Sequence, residues 1–224
     1  RCVAVNFSSA ESHLPNAGKV IRTGMPVRNF GSTRFDSQCL DPNIFTVFVS
    51  GGSQGASRLN DICSAALCRL HKEGTRLQVI HSTGIRDVDM VLARYQNCGI
   101  PNLTDSFITD IEKAYNSSNI AICRAGASTC AELLHFRLPA LLVPLPSAKR
   151  NHQEMNAKEM VSYGICDIVL ERELTPEYLS GYLKKYLKNP SRLEKMRESS
   201  VIFAENNATI ELANLVERVA KGEI

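Results

Sequence analysis

Residues 48–57 read FVSGGSQGAS, and two kinds of chemistry fit them. Gly51, Gly52, Ser53, Gln54 and Gly55 match G-x-S-x-G, the strained turn that presents a nucleophilic serine. The same small residues suit a loop that ends a strand, opens a helix and cradles a phosphate on backbone N–H groups. A serine hydrolase of this type also needs an acid and then a histidine late in the chain. The last histidine is His152, ahead of one more strand and three helices, and no H-G-G-G loop precedes Ser53. The hydrolase reading therefore does poorly against the phosphate-binding one.

A second small-residue loop, RAGAST, occupies residues 124–129. Taken singly, either loop is as well explained by a tight strand–helix turn. A pair placed at the switch point of one sheet points more firmly to a ligand such as a diphosphate. Each would open a helix whose first turn offers free N–H groups and roughly half a positive charge. Within the second loop, Thr129 and Glu132 have capping-box spacing, which accounts for the glutamate without any ligand. Equally, a carboxylate one turn into a phosphate-binding helix can accept hydrogen bonds from ribose hydroxyls. The residues alone leave these two readings level. The stretch 144–157, PLPSAKRNHQEMNA, gathers donors at Lys149, Arg150, Asn151, His152 and Gln153. It reads either as a solvated loop with Asn151 capping the next helix, or as polar contacts to a sugar or to phosphates. A histidine in such a loop does not by itself argue catalysis.

The elements that must position these loops alternate from Phe45 onward. Apolar, β-branched runs predict strands at 45–50, 77–82, 102–107, 119–123, 139–144 and 166–170. Helical spacing predicts helices at 56–72, 86–97, 110–118, 129–136, 151–163, 175–188, 190–204 and 207–221. Strands separated by helices give an α/β fold, a Rossmann-like doubly wound parallel sheet covered on both faces. In its commonest order, 3-2-1-4-5-6, strands one and four are neighbours and the chain reverses between them. The two small-residue loops then face each other across one crevice. The polar stretch 29–43 reads as a linker, so residues 1–28 are expected to close a preceding domain. A start at RCVAVNF, inside a strand and without methionine, suggests a piece of a longer protein.

Composition narrows the partners. The chain has 224 residues, 44% of them apolar, and a net charge of +3, too small for a nucleic-acid footprint. No apolar run approaches the ~18 residues of a membrane span. Eight cysteines form no C-x-x-C pair and no zinc spacing, so they are expected to be reduced core residues of a cytosolic protein. No D-x-D pair at a strand end offers a metal site, and no cofactor is called for.

Several motifs together resemble one family. TGMPVR (23–28), GGSQGAS (51–57), DSFITDI (105–111), CRAGASTCAEL (123–133), LPALLVPLP (138–146) and NHQEMNA (151–157) are similar, in order and spacing, to a bacterial peptidoglycan glycosyltransferase. That family, the MurG type, adds N-acetylglucosamine to undecaprenyl-pyrophosphoryl-muramoyl-pentapeptide. The resemblance runs from about residue 20 to the end. It implies two Rossmann-like domains facing across a cleft (the GT-B arrangement), with this chain supplying the C-terminal, donor-binding one. Residues 1–28 would end the acceptor domain, 29–43 link, 44–205 bind the UDP-sugar, and 206–224 form a C-terminal helix.

The resemblance implies roles position by position. Arg28 lies near the nucleotide, and Gly52, Ser53 and Gln54 lie beside the diphosphate. Ile108 pairs with uracil through its backbone while Phe107 flanks the base. Ala127, Ser128 and Thr129 hold the diphosphate, and Glu132 takes the ribose. Gln153 reads sugar hydroxyls with His152 beside it. The general base and the membrane-facing patch belong to the other domain, which implies a peripheral enzyme on the cytoplasmic face of the inner membrane. Two departures stand out. Met25 replaces the family's asparagine, and Phe136 and Arg137 stand where it often has small residues and glycine. Two competing readings are a nucleotide-sugar-binding subunit with a separate catalytic partner and a related transferase with another acceptor, such as a diacylglycerol.

Overall fold

The computed structural model describes residues 2–8, 10, 14, 18–27, 40–148, 151–201 and 207–224. Arg28, Lys149, Arg150 and most of the expected linker lie outside the described residues. The chain opens with β1 (Cys2–Val5) and β2 (Lys19–Arg22), a parallel pair that forms its own sheet. The remainder alternates: β3 (Phe45–Ser50), α1 (Ser57–Lys72), β4 (Leu77–Ser82), α2 (Val88–Cys98), β5 (Asn102–Asp105), α3 (Ile111–Asn116) and β6 (Ile120–Cys123) come first. They are followed by α4 (Ala127–His135), β7 (Ala140–Leu142), α5 (His152–Ser162), β8 (Cys166–Ile168), α6 (Pro176–Lys188), α7 (Ser191–Ser199) and α8 (Ala208–Ala220).

The large sheet is wholly parallel, in the order β5-β4-β3-β6-β7-β8. Counted within this sheet, that is the expected 3-2-1-4-5-6. Successive side chains of a strand point to opposite faces, and the two cores divide accordingly. Val47, Val49, Val79, Ile120, Ile122 and Leu141 pack under α1, α2 and α6. Phe48, Ile80, Ala121, Cys123, Ala140 and Leu142 pack under α3, α4 and α5. Both faces are covered, which is why the strands read as continuous apolar runs rather than as alternation. The N-terminal pair is tied to α5 by polar contacts. Ser8 donates to Glu159 Oε1 from its N–H at 3.0 Å and its hydroxyl at 2.8 Å, and Arg22 donates to the Tyr163 hydroxyl at 2.6 Å.

Two expectations are corrected here. Cys68 and Cys98 are joined as a disulfide, with Cα atoms 5.8 Å apart, because α1 and α2 lie side by side and present them to each other. Cys2, Cys63, Cys123, Cys130 and Cys166 are free thiols, so the reduced-cysteine reading fails at one pair, and with it that argument for a cytosolic compartment. Helix α4 begins at Ala127 rather than Thr129, with extended Gly126 as its N-cap. Among the described residues no helix is long and apolar enough to cross a membrane.

Candidate functional site

The carboxyl ends of β3 and β6 are paired, Ser50 with Cys123, and the Arg124 N–H donates to the Ser50 carbonyl at 3.3 Å. The two small-residue loops therefore leave the sheet side by side at its switch point, where doubly wound folds bind their ligands. Their glycines divide into two kinds. A Cβ on Gly51 would stand 2.4 Å from the Ala56 nitrogen, and one on Gly55 would stand 2.2 Å from the Thr83 carbonyl. Those two glycines are required by close backbone packing. Among the described residues, Gly52, at φ +88°, has nothing within 4 Å of a built Cβ, and Gly126 has only the Thr129 hydroxyl at 3.8 Å. At these two positions the backbone faces open space.

The helices that follow are bare at their starts. Neither α1 nor α4 has a side-chain cap or an acidic residue in its first turn. By contrast, α3, α6 and α8 are capped by the side chains of Asp110, Thr175 and Asn207. The first intrahelical donors are Asn60 N–H to Ala56 and Cys130 N–H to Gly126. The N–H groups of Ser57 to Leu59 and of Ala127 to Thr129 thus have no partner among the described residues. Two sets of unpaired amides with helix-end positive charge, flanked by exposed Ser53, Gln54 and Ser128, have the chemistry to receive an anion. Thr129 is the third residue of α4 and Glu132 the sixth, so the capping-box geometry is not formed. The half-buried Glu132 instead accepts a hydrogen bond from the Tyr115 hydroxyl at 2.9 Å.

The neighbouring strand ends complete the rim. Beyond Asp105, Phe107 is 49% exposed while the side chain of Ile108 is anchored in the core. Neither the N–H nor the C=O of Ile108 has a partner among the described residues, so a buried side chain presents a bare peptide. Gln153 lies in the first turn of α5, and its Oε1 accepts the Leu145 N–H at 3.0 Å. That contact fixes the amide and leaves its NH₂ group to donate outward. His152 is exposed beside it. Asn151 occupies the N-cap of α5 in a left-handed conformation, and its side chain does not cap.

Four supports were not legible in the sequence. Tyr115 reaches Glu132 across 17 positions. Asn156, 8% exposed, donates to the Ala125 carbonyl at 3.0 Å and ties α5 to the loop before α4. Arg124, also buried, donates to the Val143 and Pro144 carbonyls at 3.2 and 3.3 Å and pairs with Glu171, pinning the loop after β7. The fourth is a buried chain behind the first loop. Asn60 donates to the Thr83 carbonyl at 2.7 Å and to Asp87 at 2.8 Å, so its Oδ1 faces His81 Nε2 at 3.1 Å. His81 Nδ1 lies 2.9 Å from the Tyr95 hydroxyl. One neutral tautomer, with the proton on Nε2, satisfies every member of this chain.

Burial holds His81 down to a pKa of about 3, against an opposing pull from Asp87. An unfolded histidine titrates near 6.5, so between those values the unfolded chain binds the extra proton and stability falls as pH falls. The expected loss due to His81 is about 2 kcal/mol between pH 6.5 and 5. Urea unfolding of the parent and of His81→Gln at both pH values measures it. Equal pH slopes for the two would contradict the buried neutral tautomer.

A doubly wound parallel sheet with paired bare helix ends at its switch point is the arrangement in which such folds commonly take nucleotides. The chain belongs to glycosyltransferase family 28: the model of that family's C-terminal domain matches residues 46–214. Among curated relatives, the UDP-N-acetylglucosamine--N-acetylmuramyl-(pentapeptide) pyrophosphoryl-undecaprenol N-acetylglucosamine transferase of Thermodesulfovibrio yellowstonii is 35% identical over 176 residues, covering 79% of this chain and 48% of the relative. The enzyme of the same name from Anaeromyxobacter sp. (strain K) is 36% identical over 212 residues, covering 93% and 54%. The crystal structure of Acinetobacter baumannii MurG superposes with a TM-score of 0.75 at 28% identity, covering 97% of this chain and 60% of that one. The calicheamicin glycosyltransferase CalG4 shares the fold, with a TM-score of 0.64 at 15% identity, covering 96% of this chain and 51% of that one. The chain spans about half the length of the curated relatives it matches.

Proposed function

We propose that this chain is the donor-binding half of an inverting, metal-independent glycosyltransferase. The whole protein would move N-acetylglucosamine from UDP-N-acetylglucosamine to undecaprenyl-pyrophosphoryl-muramoyl-pentapeptide in peptidoglycan synthesis. The observation that carries this reading is the pair of uncapped helix starts, α1 and α4, leaving paired strand ends beside two open glycines. The family match and the relatives' names support the sugar and the acceptor.

In this reading the diphosphate lies over Gly52, Ser53 and Gln54 and against the first turn of α4 at Ala127, Ser128 and Thr129. Uracil meets the bare peptide of Ile108 with Phe107 along its face, Glu132 takes the ribose, and Gln153 with His152 meets the sugar. Arg28 remains assigned by resemblance. The C4 hydroxyl of the muramoyl sugar attacks the anomeric carbon, the bond to UDP breaks, and the charge growing on UDP is received by amides already aimed at it. Preorganised donors of this kind are worth ~3 kcal/mol each in known acyl-transfer sites. The general base and the peripheral contact with the cytoplasmic face of the inner membrane are assigned to the other domain. Competition among UDP-sugars for this chain tests the donor assignment. UDP-N-acetylglucosamine should displace labelled UDP better than UDP-glucose does; equal displacement by every UDP-sugar would contradict a reading of the sugar by Gln153.

A further inference from the structure

Glu132 is held by a side chain from another helix. The Tyr115 hydroxyl of α3 donates to Glu132 Oε2 at 2.9 Å, and Glu132 Oε1 has no partner among the described residues. Tyr115 is 4% exposed, and its ring is gripped from two sides. Phe48 of the central strand meets it edge-on at 5.1 Å between centroids, and Phe136 tilts against it at 5.3 Å. Phe136 is one of the positions, with Met25 and Arg137, where this chain departs from the resembling family. Its ring packs on Tyr115, which gives that departure a physical role.

An ionised carboxylate only accepts hydrogen bonds, and a flexible one loses rotamer freedom when a ligand binds. A donor fixed by the core removes that freedom beforehand. We propose that Tyr115 is a positioning residue for nucleoside recognition. It locks one oxygen of Glu132 so that the other is aimed at a ribose hydroxyl, and Phe136 braces the tyrosine. The proposal rests on the ribose reading of Glu132.

Calorimetric titration of the chain with UDP and with 2′-deoxy-UDP separates the two ideas. The parent should prefer UDP, and Glu132→Ala should abolish the preference. Tyr115→Phe should weaken UDP by about fivefold while leaving 2′-deoxy-UDP within about twofold. In the Glu132→Ala background, Tyr115→Phe should add nothing. If Glu132→Ala removes the preference and Tyr115→Phe keeps it, the ribose reading stands and the positioning role falls. If Tyr115→Phe weakens both nucleotides equally, the tyrosine is structural only and the proposal is overturned. If Glu132→Ala leaves the preference intact, or the parent binds neither nucleotide, both ideas fall. Should Tyr115→Phe fail to fold, Phe136→Leu keeps the hydroxyl and loosens its brace. That variant must lower the UDP preference at least about twofold, and an unchanged preference overturns the proposal.

Discussion

Gly55→Ala is expected to destabilise the domain by about 4 kcal/mol, whereas Gly52→Ala should leave it folded and disable nucleotide binding. The two residues are three positions apart in one loop, and both have positive φ, +75° and +88°. A left-handed conformation costs a non-glycine residue roughly 1–2 kcal/mol, and both variants carry that term. Only Gly55 adds a collision, since its Cβ would lie 2.2 Å from the Thr83 carbonyl and 3.0 Å from Gly84 Cα. Both obstacles are backbone, held by Asn60 and the Asp87 network, so neither can swing away. A methyl at Gly52 meets nothing within 4 Å among the described residues and would stand where the proposed diphosphate approaches. Its expected effect is a loss of UDP affinity on the order of 30-fold with a stability change near 1 kcal/mol. Chemical denaturation and calorimetry on both variants measure this. A Gly52→Ala chain that binds UDP as the parent does would remove the loop from the site.

The second large effect is expected at Arg124. Its side chain is 9% exposed and pairs with Glu171, which is 14% exposed. Arg124→Met leaves that carboxylate buried without its partner and frees the Val143 and Pro144 carbonyls. Breaking a buried ion pair from one side typically costs 3–5 kcal/mol, and removing both charges costs far less. The single variant should therefore lose about 3 kcal/mol, and Arg124→Met with Glu171→Leu should recover at least half of it. The measurement is urea unfolding of the three chains. A single-variant loss below about 1 kcal/mol would show that the pair does not hold the loop after β7.

The strands and their order were legible because a parallel sheet buried on both faces leaves one plain signal, a short β-branched run. FTVFVS and LQVIHS begin and end where expected. The start of α4 was less legible. Thr129 and Glu132 have the spacing of a capping box, but β6 ends at Cys123 and extended Gly126 turns the chain into the helix first. Local cap chemistry was overruled by where the strand stops. Contacts between distant residues were not legible at all. Glu132 with Tyr115, Ala125 with Asn156, Arg124 with Glu171, and Cys68 with Cys98 are each brought together by the crossovers and not by any spacing in the chain. The His81 chain belongs with them: read in sequence, His81 is a lone polar residue in a strand, and only the packing of α1 and α2 supplies Asn60 and Tyr95.

In the proposed function, backbone amides at two helix starts, rather than a metal ion, receive the nucleotide diphosphate. Titration of the chain with UDP in EDTA, and again with Mg²⁺, tests it most directly. Equal binding in the two buffers, weakening as salt rises, is the result expected when helix-end charge and N–H donors hold the ligand. Binding that appears only when Mg²⁺ is added would contradict the account.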